Sequence, residues 1–463
     1  MTLKQLKELY EGDRYQEILE EIEKMKHQGK LDSLSLEEQA WYSYYKSCAL
    51  EALSRFEDAF QEASRARARL EPRKYKLLDL ALLVAQIYPL NRLNKDEAFA
   101  YIGEGEKLIR SLTESEREAG AEWISLFLNA KGNFHLDKGE IDSSLRYYQR
   151  SLSLREKIGT QLAISSSLNN IGNCYLHKGE LDSALDYYKR SLSIAESLGN
   201  IPSGAVYLMN IGVVYKLKGE LDKAKEYQQK SLSLHEKIGS DYHTAYTLGL
   251  LVFTTVEMQD YDLAREYLKR FQVISEHLPV KLFHQAYRVA SALILKQSKR
   301  MKDKIKAQNL LNDVIDEGIA NFYLEAYARI YLCELLLLEL KVSGEPEVLA
   351  EIKNHANELQ ILAQDQHSFL YSIHVLLLNA RLAVIEGEFQ QAIKYLDQAT
   401  VTAEEKDMGT LLQTVIEERE LLENEFKKWQ ELIQRNAPLQ ERLEAARLEK
   451  YIERAQKMAS SIR

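Results

Sequence analysis

Between Ala130 and Gly249 the chain repeats itself every 40 residues, and that period constrains the fold of its 463 residues more than any other feature. Gly132, Gly172 and Gly212 stand in register. So do Gly139, Gly179 and Gly219, each followed by Glu, an apolar residue and Asp. Ser-Leu-Ser recurs at 151–153, 191–193 and 231–233, and Gly159, Gly199 and Gly239 close the copies. A fixed period of this length marks a stacked array, in which each unit covers the apolar face its neighbour would otherwise expose.

One copy reads as two antiparallel helices. Leu168, Ile171, Cys174 and Tyr175 form one apolar stripe and Leu185, Tyr188, Leu192 and Ala195 another, with Gly179 between them. Glycine there suits the left-handed conformation just past a helix end. Pro202, after Gly199, suits the opening turn of the next helix. Gly172 and Ala184 are small at the same offset from copy to copy, with Ala224 and Ala264 in register and Ser144 in the first copy. Small residues there predict two helices in close approach. Outside the regular copies the same two-helix rhythm persists without the glycines, including a third pair turning around Pro89. The prolines are expected at turns, strand signals are almost absent, and the chain reads as all-α.

Ile171-Gly172, Tyr175, Ala184, Tyr188 and Ser191, and in the next copy Ile211-Gly212, Tyr215, Ala224, Gln228 and Ser231, resemble the tetratricopeptide repeat. The period exceeds the usual length of about 34 and is similar to the longer-helix variant of kinesin light chains and bacterial peptide-sensing regulators. The resemblance implies a right-handed α-α superhelix, a tetratricopeptide solenoid of about ten or eleven helix pairs. We expect degenerate pairs over 1–121, the regular array over 122–278, degenerate pairs over 279–435, and a capping helix over 436–463. Leu448, Ile452, Ala455, Ala459 and Ile462 give that last helix one apolar stripe. Its alternative role is self-association.

The formal net charge is −9, from 61 basic and 70 acidic residues closely mixed, so no general basic stripe points to nucleic acid. Cys48, Cys174 and Cys333 lie far apart in apolar contexts and read as buried thiols in a reducing compartment. No stretch reads as a signal peptide or membrane span, and the expected location is the cytoplasm. No catalytic motif is present, no cofactor or metal is expected, and Cys174 with His177 lacks a second ligand pair.

Asparagines cluster around the small glycines of the first helices: Asn129, Asn133, Asn169, Asn170, Asn173 and Asn210. Asparagine is a poor helix former, so matching offsets ask for a reason. The resemblance implies that first helices line a concave groove and that asparagine amides there bond the main chain of an extended peptide. Asn170 and Asn210 lead that expectation, with Asn133 and Asn173 one turn on and Tyr207, Lys216 and His177 facing the same groove. The alternative is that these amides bond only neighbouring helices. The expected function is a non-catalytic scaffold for a protein or peptide partner of unspecified identity. The alternative is a sensor whose superhelix changes shape to control an effector.

Overall fold

The computed structural model describes residues 1–12, 14–71, 74–93, 97–278, 280–318, 322–365, 369–405 and 409–445. The expected apolar stripe of the last helix, from Leu448 to Ile462, lies outside the described residues. Two compact units divide the chain, Met1–His177 with Asp182–Tyr207, and Lys178–Leu181 with Leu208 onward.

The first unit is built from α1 (Leu3–Glu11), α2 (Tyr15–His27), α3 (Leu36–Ala52), α4 (Phe56–Ala68), α5 (Lys76–Arg92), α6 (Ala98–Arg110), α7 (Glu114–Ala119), α8 (Ala121–Asp137), α9 (Ile141–Ile158), α10 (Gln161–Lys178) and α11 (Leu181–Ser197). The division falls inside α12 (Ile201–Leu217). The second unit continues with α13 (Leu221–Ile238), α14 (Asp241–Glu257), α15 (Tyr261–Ser275), α16 (Lys281–Lys296), α17 (Met301–Asp316), α18 (Phe322–Ser343), α19 (Pro346–Asp365), α20 (Phe369–Glu386), α21 (Phe389–Glu405), α22 (Gly409–Gln434) and α23 (Leu439–Ala445). Among the described residues there is no strand, and apart from the single-turn α7 the helices follow one another as pairs.

Local chemistry sets the ends of these helices. Thr2, Ser35 and Thr113 each form a capping box with the Gln or Glu three residues on. The one at Thr113 starts α7, a helix too short for periodicity to reveal. Within each regular copy the turn residue is left-handed: φ is 74° at Gly139, 80° at Gly179 and 74° at Gly219. The next copy puts Gln259 there with φ 60°. The turn survives the loss of glycine, helped by Asp260, whose carboxylate accepts the Leu263 amide at 3.2 Å.

Pro89 departs from expectation. It lies inside α5, which runs on to Arg92. Proline removes one helix hydrogen bond and costs about 3 kcal/mol in a helix interior. Burial outweighs it here: Leu80, Ala81, Leu82, Leu83, Ile87 and Leu90 are all fully buried. Just beyond the proline, Asn91 Nδ2 donates to the Ala130 carbonyl at 3.1 Å and ties the end of α5 to α8.

The small residues of the regular copies close the pairs. A Cβ added to Gly132 would stand 2.5 Å from the Tyr148 ring, and one added to Gly172 would stand 2.8 Å from the Tyr188 ring. Each tyrosine is almost wholly buried against its glycine. Ala184, Ala224 and Ala264 are fully buried, and Ser144, their counterpart, donates to the Gly132 carbonyl at 2.8 Å. The first unit buries separate apolar clusters along its length, while one large cluster runs from Leu232 to Leu443 in the second.

Candidate functional site

The asparagines fall into two sets. Asn133 and Asn173 serve the tyrosines of their own copies: Tyr148 Oη donates to Asn133 Oδ1 and Tyr188 Oη to Asn173 Oδ1, each at 2.6 Å. The third copy changes both residues together. Gln228 replaces the tyrosine, Val213 replaces the asparagine, and Gln228 Oε1 instead accepts from Thr254 Oγ1 at 2.9 Å. An amide that is kept while the phenol is kept, and lost with it, is matched to that phenol.

The other set forms a chain across successive first helices of the first unit. Asn129 Nδ2 in α8 donates to Tyr88 Oη in α5 at 2.8 Å. Asn170 Nδ2 in α10 donates to Asn129 Oδ1 at 2.8 Å, and Asn169 Nδ2 to Asn170 Oδ1 at 3.3 Å. Asn129 and Asn169 are buried and Asn170 is half-buried. A primary amide has two N–H donors and two acceptor lone pairs, so the links of Asn129 and Asn170 leave part of that capacity over. These bonds also hold the side chains in fixed rotamers, which lowers the entropy lost when a ligand binds. Tyr207 is buried close by in sequence register, its hydroxyl 3.0 Å from Ser165 Oγ.

In the second unit Asn210 is half-buried and engaged. Lys216 is buried, with Nζ 3.0 Å from Glu257 Oε1 and 5.4 Å from the centre of the Phe253 ring. His177, in the first unit, is half-buried, and burial pushes its pKa down to about 4, so the ring is neutral near pH 7. Burial pushes the Cys48 and Cys333 thiols up to about 12, which keeps them protonated and unreactive. Among the described residues no group of three or more His, Cys, Asp or Glu could hold a metal ion. No helix among them is long and apolar enough to cross a membrane.

One repeated feature escaped the sequence reading. His135 stacks on Tyr147, Tyr175 on Tyr187 and Tyr215 on Tyr227, at 5.1, 5.3 and 5.3 Å between ring centres. The signal was present as two aromatic positions, each conserved at the 40-residue spacing within the chain. The first tyrosine of each Tyr-Tyr pair belongs to this stack, and the second fills the glycine pocket.

Residues 123–197 and 204–270 match the tetratricopeptide repeat family, so the regular array is built of tetratricopeptide repeats. Solved structures share the fold. A Rap protein complexed with competence and sporulation factor aligns at 14% identity with a TM-score of 0.57, covering 80% of this chain and 99% of that one. NprR in complex with its cognate peptide NprX aligns at 15% identity and 0.51, covering 75% and 95%. The apo form of the quorum sensor NprR from B. thuringiensis aligns at 15% identity and 0.50, covering 76% and 97%. No curated protein matches the chain.

Proposed function

We propose, from the tetratricopeptide repeats over 123–197 and 204–270, that this chain binds a peptide or an extended segment of a protein partner and catalyses no reaction on it. The observation that carries the reading is the Tyr88–Asn129–Asn170 chain of side-chain hydrogen bonds across α5, α8 and α10. An extended peptide presents alternating N–H and C=O groups along its main chain. A row of pre-oriented amides with donors and acceptors to spare matches that pattern and is indifferent to side-chain identity, which other residues must then read. The shared fold of NprR bound to the peptide NprX supports the same reading. Three free cysteines fit a reducing compartment, the cytoplasm.

A second reading has one specific support. NprR, called a quorum sensor, has been solved in both apo and peptide-bound forms with this fold. By that analogy the chain is a regulator in which peptide binding shifts the packing of the repeats and so controls an effector.

The test compares wild type with the Asn129→Ala/Asn170→Ala double variant in affinity capture from the source cell's lysate, after circular dichroism shows both folded. Two lost main-chain hydrogen bonds, at about 1 kcal/mol each, predict roughly 30-fold weaker capture of a specific partner. Equal retention by both proteins would remove the amide chain from the binding site.

A further inference from the structure

Arg155 in α9 is a buried cation without an anion. It is 3% exposed. Nη1 donates to the Ala163 carbonyl at 2.7 Å and to Ser167 Oγ at 3.0 Å, and Nε to Ser125 Oγ at 3.4 Å, all neutral acceptors. Among the described residues it makes no ion pair, and Nη2 has no hydrogen-bond partner. Nη2 is not sealed from solvent, which puts it at the edge of the water.

The other buried cations among the described residues all face carboxylates: Lys131 with Glu106, Lys216 with Glu257, Lys296 with Glu334, Arg329 with Glu325 and Glu358, and Arg381 with Glu418. Burying a charge unpaired is costly, and folded chains rarely carry that cost without a use for it. The repeat does not require it. Ala195 and His235 hold the same place in the next two copies.

The surroundings suit a ligand. Arg155 lies within electrostatic reach of the Tyr88 and Tyr207 hydroxyls, and its partners Ser125 and Ser167 stand on α8 and α10, the helices that carry Asn129 and Asn170. Among the described residues the only carboxylate whose charge bears on it is that of exposed Glu122. Arg92 also bears on Tyr88, but it is paired with Glu51 at 3.7 Å, and no second basic side chain among the described residues bears on Arg155 itself. One positive charge with one acidic neighbour matches a monoanion better than a phosphate dianion.

We propose that Arg155 anchors a carboxylate of the bound peptide, either an acidic side chain or the C-terminal carboxylate. The proposal rests on the peptide-binding reading above. It deepens that reading by naming what the amides do not: the charged group that sets position along the main chain.

The test uses the full chain and an arrayed library of fluorescein-labelled peptides read by anisotropy. Every binding sequence is remade in three forms: amidated with its acidic residues kept, with a free C-terminus but Asp and Glu changed to Asn and Gln, and with neither carboxylate. Arg155→Ala, the residue the second copy carries, and Arg155→Lys are run beside wild type. Wild type is expected to bind one of the first two forms at least about tenfold more tightly than the third, and which form it is identifies the carboxylate. Arg155→Ala is expected to lose that preference with its melting temperature unchanged or raised, and Arg155→Lys to keep part of it. A purely structural arginine predicts the reverse, a lowered melting temperature with the preference intact, and that result overturns the proposal. So does equal binding of all three forms by wild type, which leaves peptide binding standing. Binding of no peptide at all overturns both.

Discussion

Gly172→Ala tests the closing of a helix pair directly. A Cβ at this position would lie 2.8 and 2.9 Å from two carbons of the Tyr188 ring, about 1 Å inside ordinary contact. The ring has nowhere simple to go. It is fully buried, and its hydroxyl is held by Asn173 Oδ1 at 2.6 Å. Relieving the clash means parting α10 from α11 or tilting the ring and weakening that bond. Overpacking of this kind costs about 1–3 kcal/mol, and a damaged buried hydrogen bond adds about 1. Alanine returns about 1 kcal/mol through its better helix propensity. The net expectation is a loss of about 1–3 kcal/mol, placed locally in the α10–α11 pair because repeat arrays unfold by neighbours. Gly249→Ala is the control. Its Cβ would meet Phe271 at 3.6 Å, an ordinary contact, so the propensity gain stands alone and stabilises by about 1 kcal/mol. Amide hydrogen exchange across α10–α11 and α14–α15, with urea unfolding followed by circular dichroism, separates the two. If the two variants shift stability in the same direction, the close-approach argument is wrong.

Two further outcomes follow from backbone and burial. Gln259→Gly should stabilise the α14–α15 pair by about 1 kcal/mol, because glycine removes the steric cost of the left-handed conformation that Gln259 holds at φ 60°; a lower urea midpoint would count against it. Burial lowers the pKa of His235 to about 4 and of His374 to about 3. Both folded values lie below the unfolded value, so the stabilisation is complete above about pH 6.5 and is lost as pH falls toward them. For His235 the loss is of the order of 3 kcal/mol by pH 4. His235→Ala, which borrows the residue at position 195, should flatten the fall in urea midpoint between pH 6.5 and 4.5, and an unchanged slope would refute the assignment.

A repeat period records the contacts that return from copy to copy. Gly172 against Tyr188, Ala184 in the helix contact, and the left-handed glycines at 139, 179 and 219 all recur at constant offset. Each is a local or next-helix relation that returns in successive copies, with Gln228 in the tyrosine's place in the third and Ser144 in the alanine's in the first, and so was legible in residue types alone. Asn133 and Asn173 were legible only in part. Their loss at Val213 together with the tyrosine at Gln228 records the pairing, but the direction of the side chain had to be seen.

The remaining features belong to tertiary structure. The continuation of α5 through Pro89 follows from burial by several neighbouring helices, a force that local propensity does not contain. The chain from Tyr88 through Asn129 to Asn170 joins residues 41 positions apart, where the first partner lies outside the regular copies. Arg155 differs from Ala195 and His235 by type alone, and its lack of an anion depends on which side chains reach it from α8 and α10. A repeating sequence determines its repeating contacts, because every copy solves the same packing problem. It does not determine the exceptions, because each depends on a non-repeating neighbour brought in by the fold, and the proposed binding chemistry lies among those exceptions.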